Sequence, residues 1–174
     1  RAQKLLDRTI VIFTSDHGDL CGEHGRLNKG VPYEGSARIP FLMYCPGKVP
    51  PGTVIDQALS NIDFLPTVMQ LLDVPLEHKV DGRSAAALFT GKPADDWEDI
   101  SIIRSAGKPG QAGNAWLSAV TQQYKLVYSS NEVPWLIDVT NDPNELTNLF
   151  GQASLKQQTR WMTEKLSAYG RAHN

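Results

Sequence analysis

The chain has 174 residues, 41% hydrophobic and 21% charged, with a formal net charge of −2. That composition suits one globular domain with a true core, or one domain with a small appendage. It excludes the basic footprint of a nucleic-acid-binding protein, and no apolar run approaches the ~20 residues of a membrane-crossing helix. The two cysteines, Cys21 and Cys45, are too few for a disulfide framework. Both are expected to be free, with Cys45 buried behind an apolar run and Cys21 more exposed.

Residues 2–7 read as the last turns of a helix already under way. With no Met at position 1 and no signal-peptide pattern, the chain is expected to have been cut from something longer. Residues 9–14 are β-branched and almost continuously apolar, which predicts a buried strand of a parallel sheet. A loop rich in Gly and polar residues follows over 15–33, long enough to suggest a functional role. Residues 39–44 predict a second buried strand, with Pro40 near its start. Ser60 or Asn61 caps a helix in which Phe64, Leu65, Val68, Leu71 and Leu72 recur at helical spacing and are expected to face the core. A shorter helix falls within 82–91, with Leu88 and Phe89 buried. Composition shifts near 91–99. Beyond it, segments 101–104, 115–128 (turning near Gln122-Gln123) and 135–139 alternate as an antiparallel sheet with one face covered. Residues 155–169 form a final amphipathic helix whose buried face draws on Leu155, Trp161, Met162, Leu166 and Tyr169.

Chemistry-bearing residues concentrate after the first strand. Asp16-His17-Gly18-Asp19 stands where open α/β sheets collect ligands, and a carboxylate beside an imidazole can take a divalent cation. The same residues can equally form a plain turn, with Asp accepting backbone N–H bonds and Gly supplying a positive φ. His24, in Glu23-His24-Gly25, can be a proton donor, a substrate contact or a solvated surface residue. Lys29, between Asn28 and Gly30, can reach an oxyanion as a compact point charge. Glu34 and Arg38 approach the second strand and read as a structural pair, because an unpaired charge there is costly. Ser15 and Ser36 are the hydroxyls nearest these motifs, and neither stands in a nucleophile context. Trp97, Trp116 and Trp135 can stack on a sugar ring or simply pack in a core.

Four segments, in order, carry a resemblance. They are Thr14-Ser15-Asp16-His17-Gly18 through Gly22-Glu23-His24-Gly25, Lys29-Gly30-x-x-Tyr33-Glu34 and Arg38-x-Pro40; the helix around Asp63-Phe64-Leu65-Pro66-Thr67; Asp81-Gly82-Arg83-Ser84; and Trp135 to Leu149 with Asp142-Pro143-Asn144-Glu145. Together they resemble the sulfatase family of the alkaline phosphatase superfamily, over nearly the whole chain. The resemblance implies an α/β fold: the C-terminal part of a parallel-sheet catalytic domain over 1–95, followed by a small antiparallel sheet and helix over 96–174. It implies Asp16 and His17 as two ligands of a Ca²⁺ ion, Lys29 as a sulfate contact, His24 as the family's loop histidine and Arg38 as structural.

It also implies a formylglycine nucleophile made from Cys or Ser in a Cys/Ser-x-Pro-x-Arg motif. Cys21 is followed at those offsets by Glu23 and Gly25, and Cys45 by Gly47 and Val49, so neither qualifies. The nucleophile and the remaining metal ligands are expected upstream, in a missing N-terminal portion of the same enzyme. The intact parent is expected to hydrolyse a sulfate ester of a small molecule or carbohydrate, and this chain alone to be inactive. The alternatives are a phosphate or phosphonate monoester hydrolase of the same superfamily and a non-catalytic module. A periplasmic or secreted location is expected from the resemblance.

Overall fold

The computed structural model describes residues 5–106 and 115–173. Most of the predicted helix end at 2–7 lies outside them; within them, Leu6–Arg8 forms one 3-10 turn. The chain divides into two compact units, Arg1–Asp16 with Ile39–Glu98, and His17–Arg38 with Asp99–Asn174. The expected division at 95/96 follows chain order. The compact units do not, because the loop 17–38 goes with the later residues.

In the first unit, strands β1 (Val11–Thr14) and β2 (Phe41–Tyr44) pair antiparallel, with Val11 opposite Tyr44 and Phe13 opposite Leu42. Both were expected as buried strands of a parallel sheet. Within the described residues their only pairing is with each other, and one face is open. Side chains alternate across a strand, so Val11, Phe13, Leu42 and Tyr44 share that face, with Phe13 62% and Leu42 63% exposed. On the other face the ring of Phe41 meets those of Phe64 and Phe89 at 6.3 and 5.6 Å.

A 3-10 turn, Asn61–Asp63, leads into α2 (Phe64–Leu71), which follows the single turn α1 (Glu34–Ala37) of the second unit. The buried Asp63 carboxylate accepts the Ser60 N–H at 2.9 Å and the Arg83 N–H at 2.8 Å, tying the helix start to the Asp-Gly-Arg-Ser turn. Gly82 is required there, since a Cβ would lie 1.9 Å from the Ile62 carbonyl oxygen. Thr67 donates to Asp63 O at 2.6 Å and accepts the Ala85 N–H at 2.9 Å, joining α2 to α3 (Ala86–Thr90). The buried side of α2 is Pro66, Thr67 and Leu71. Phe64, Leu65 and Leu72, expected in the core, are exposed, because α3 and the strand pair cover only one side of the helix. In α3, Phe89 is buried and Leu88 half-buried.

In the second unit, β3 (Ser101–Ser105), β4 (Trp116–Val120), β5 (Tyr124–Ser129) and β6 (Trp135–Asp138) form an antiparallel meander in that order. The final helix α4 (Lys156–His173) covers one face. There Ala119, Leu126 and Leu136 meet Met162 and Leu166 in a core with almost no exposed surface. Burying each such large side chain contributes about 1.5–3 kcal/mol. The sheet was expected to be covered on one face only. The alternate residues Ser118, Lys125, Val127 and Ile137 are also buried, because the loop 17–38 lies against that side.

Candidate functional site

The loop 17–38 is folded by its own backbone. The Gly18 N–H donates to Ser36 O at 2.9 Å, Leu20 N–H to Asn28 O at 2.9 Å and Gly22 N–H to Arg26 O at 2.9 Å. Two arms therefore run side by side, anchored by Leu20, which is 1% exposed. Their approach at the base requires glycine at 18, where a Cβ would stand 2.1 Å from the Gly35 carbonyl oxygen. The tip turns through Cys21, Gly22, His24 and Gly25, all at positive φ. The Cys21 N–H donates to Asp19 Oδ1 at 2.9 Å, and the thiol donates to the same oxygen at 3.4 Å. These bonds hold the Asp19 carboxyl below its ordinary range and push the Cys21 thiol up. Among the described residues both cysteines are free, Cys21 exposed and Cys45 buried.

The structure places His17, His24 and Lys29 on this one loop. Nδ1 of His17 is 2.7 Å from Gly18 O. A carbonyl only accepts, so Nδ1 is the donor in this contact. The His24 ring stacks on Tyr33 at 3.8 Å and 14°, and Tyr33 in turn leans on Trp135 at 5.0 Å. Burial raises the Tyr33 phenol above its ordinary range. Lys29 is exposed and sits between two left-handed residues, Asn28 (φ 69°) and Gly30 (φ 88°). Gly30 is pinned from both sides. Its N–H donates to Ser36 Oγ at 3.2 Å, and its carbonyl accepts the Trp116 Nε1–H at 3.0 Å.

Asp16 closes the first unit. Its carboxylate is reached by Ser15 Oγ at 3.5 Å, and its main-chain oxygen accepts from Asn61 Nδ2 at 3.3 Å. Among the described residues no three His, Cys, Asp or Glu side chains form a metal cluster. Asp16 and His17 supply two donors, against the roughly six to eight that Ca²⁺ takes. A carboxylate and an imidazole are each donor types that a divalent cation accepts.

One buried residue bonded to the loop is not signalled by the sequence. Lys125, on β5, is wholly buried. Its Nζ donates to Glu34 Oε1 at 2.5 Å, Glu145 Oε1 at 2.7 Å and Pro32 O at 2.8 Å, so all three protons are used. Glu145 Oε2 accepts the Glu34 N–H at 2.6 Å. Arg38, read as the partner of Glu34, stands 3.9 Å away and is 76% exposed; the buried partner is Lys125. The motif from Asp142 to Asn148 delivers Glu145. The Asp142 carboxylate accepts the N–H groups of Leu146 and Thr147 at 2.9 and 2.8 Å, and Asn148 Oδ1 accepts those of Leu136 and Phe150 at 3.0 and 2.9 Å. Of the three tryptophans weighed as sugar platforms, Trp97 carries the Arg83 guanidinium 4.0 Å from its ring, while Trp116 and Trp135 brace the loop.

The family model "N-sulphoglucosamine sulphohydrolase, C-terminal" matches residues 22–172. An arylsulfatase of Clostridium perfringens is 34% identical over 165 residues, which are 92% of this chain and 33% of that protein. A choline-sulfatase of Rhizobium meliloti is 35% identical over 150 residues, 84% of this chain and 28% of that protein. A solved structure in complex with its substrate D-glucosamine-2-N,6-O-disulfate superposes with a TM-score of 0.80 at 26% identity, covering 98% of this chain and 35% of its own. The phosphonate monoester hydrolase of Agrobacterium radiobacter gives 0.78, also at 26% identity, covering 99% and 37%. The chain thus spans about a third of the length of the relatives it matches.

Proposed function

This chain belongs to the sulfatase family, and we propose that it is the part of a sulfuric ester hydrolase that brings Lys29 to the sulfate group of its substrate. The observation that carries the reading is the setting of Lys29: an exposed ammonium on a turn whose backbone is clamped at Gly30 by Ser36 and Trp116. A fixed cation of this kind stabilises charge on transferring oxyanion groups without reorganising at the moment of reaction. His24, its ring held flat on Tyr33, is proposed as a second polar contact for the ester. Asp16 and His17 are proposed as this chain's share of the Ca²⁺ ligands. When bound, that ion would neutralise sulfate oxygen charge.

The nucleophile lies outside these residues in this reading, since neither Cys21 nor Cys45 has Pro and Arg at the required offsets. The substrate class is a sulfated small molecule or carbohydrate, and the parent acts in the periplasm or outside the cell.

The experiment is an assay of the intact parent. Lys29→Ala should lower kcat/KM for an aryl sulfate by about 10²-fold or more, and the 174-residue chain alone should give no turnover. The likeness to the phosphonate monoester hydrolase supports a second reading, in which the same loop holds a phosphonate. A parent that turns over a phosphonate monoester at higher kcat/KM than any sulfate ester would replace the first reading with the second.

A further inference from the structure

We propose that Lys125, Glu34 and Glu145 form a positioning device for the loop that carries Lys29 and His24, an inference that rests on the proposed role of Lys29 in sulfate binding. An ammonium with no solvent exposure and three bonded acceptors does not arise on a strand by default, because a buried charge is stable only when paired and hydrogen-bonded. The acceptors come from two distant stretches. Pro32 and Glu34 belong to the loop, and Glu145 to the turn after β6.

The cluster reaches the functional side chains by two short routes. From Glu34 one turn of helix leads to Ser36, whose carbonyl holds Gly18 and whose hydroxyl holds Gly30, the neighbour of Lys29. From Glu34 one residue back is Tyr33, whose ring is the platform for His24. Glu145 secures the same point again by accepting the Glu34 N–H at the start of α1. With one cation and two carboxylates, the cluster carries an excess negative charge, and the exposed Arg38 near Glu34 compensates it only weakly. Removing Glu34 leaves Lys125 matched by Glu145, but it takes away one of the ammonium's three acceptors and the side-chain tie between loop and sheet. None of these three side chains is placed on the substrate; they act through Lys29 and His24.

The test compares Glu34→Ala with Glu34→Gln, which keeps an acceptor for Lys125. In the 174-residue chain, hydrogen exchange at the amides of Gly18, Leu20 and Gly30 should accelerate about tenfold or more in Glu34→Ala, while the amides of Leu126 and Leu136 stay within about twofold of the unaltered chain. Glu34→Gln should recover most of the protection. In the intact parent, Glu34→Ala should raise KM for an aryl sulfate more than it lowers kcat, and Glu34→Gln should reverse that rise.

Unchanged loop exchange overturns the proposal. So does acceleration of loop and sheet amides together, which would make the cluster a general stability element. A loosened loop with KM unaltered overturns the link to Lys29. An unaltered parent without sulfatase activity would instead sink the functional reading, while the exchange result would still decide whether the cluster holds the loop.

Discussion

The two sheets of this molecule are made from similar residues and end in opposite states. Strands β1 and β2 leave Phe13 and Leu42 largely exposed, whereas β4, β5 and β6 bury Ala119, Leu126, Val127 and Leu136 completely. The apolar content of the strands does not explain the difference. The four-stranded sheet has a cover on each side, α4 on one and the loop 17–38 on the other. The strand pair of the first unit has a cover on one. A strand's sequence states how much surface is available for burial, and the elements packed on it decide how much is buried.

The sharpest way to break this comparison is truncation on each sheet. Leu126→Ala should cost about 2–5 kcal/mol, because the site is closed on all sides, while Phe13→Ala in this chain should stay within about 0.5 kcal/mol, as for other surface positions. Urea unfolding of both variants checks this, and equal losses would mean that the open face of β1 is covered in solution.

Glycine substitutions separate the units next. A Cβ at Gly18 or Gly82 meets a backbone carbonyl that cannot step aside. Each Ala variant should lose about 1–3 kcal/mol. Gly18→Ala should act through the second unit and Gly82→Ala through the first, as read by amide protection in the affected unit.

The smallest effect is in pH. Burial alone would raise the Asp138 carboxyl, but bonds from Asn141, Gln123 and Thr140 outweigh it and leave it below the ordinary range. A carboxyl depressed in the folded state contributes stability that is present above its unfolded value of about 4 and lost as pH falls through the folded one. Asp138→Asn should therefore flatten the acid limb of stability measured from pH 5 downward, and an unaltered limb would remove Asp138 from the account.

Much of the fold was legible in the sequence because its signals are local. Alternation marked the meander from 101 to 138, the Gln122-Gln123 turn included, and helical spacing placed Met162 and Leu166 in the core. The signature residues mark the loop 17–38 and the stretch from Asp142 to Leu149. What escaped was tertiary. The open side of α2 is invisible to periodicity, which reports that a helix has an apolar face without reporting whether anything covers it. Lys125 escaped for a related reason: a lysine in a strand reads as a solvent-facing residue. Its burial depends on Glu34, far upstream, and on a glutamate held at φ 54° in a later turn. For Glu34 the sequence offers the cation nearest along the chain, Arg38, whereas the one nearest in space is Lys125.

The separation between these partners also bears on the order of events during folding. Pro32 lies 93 residues from Lys125, and Glu34 lies 111 from Glu145. Contacts of such span require a large loss of chain freedom before they return any energy, whereas the β4–β5 hairpin closes across three residues. On this ground the meander and α4 are expected to form first, with the loop docking onto a sheet already made, an order that φ-values at Leu126 and Leu20 would check. During synthesis, residues 17–38 emerge early and wait for residues 125 and 145. Until then the segment bearing Lys29 and His24 lacks the sheet that it packs against, so this candidate loop is expected to reach its place last.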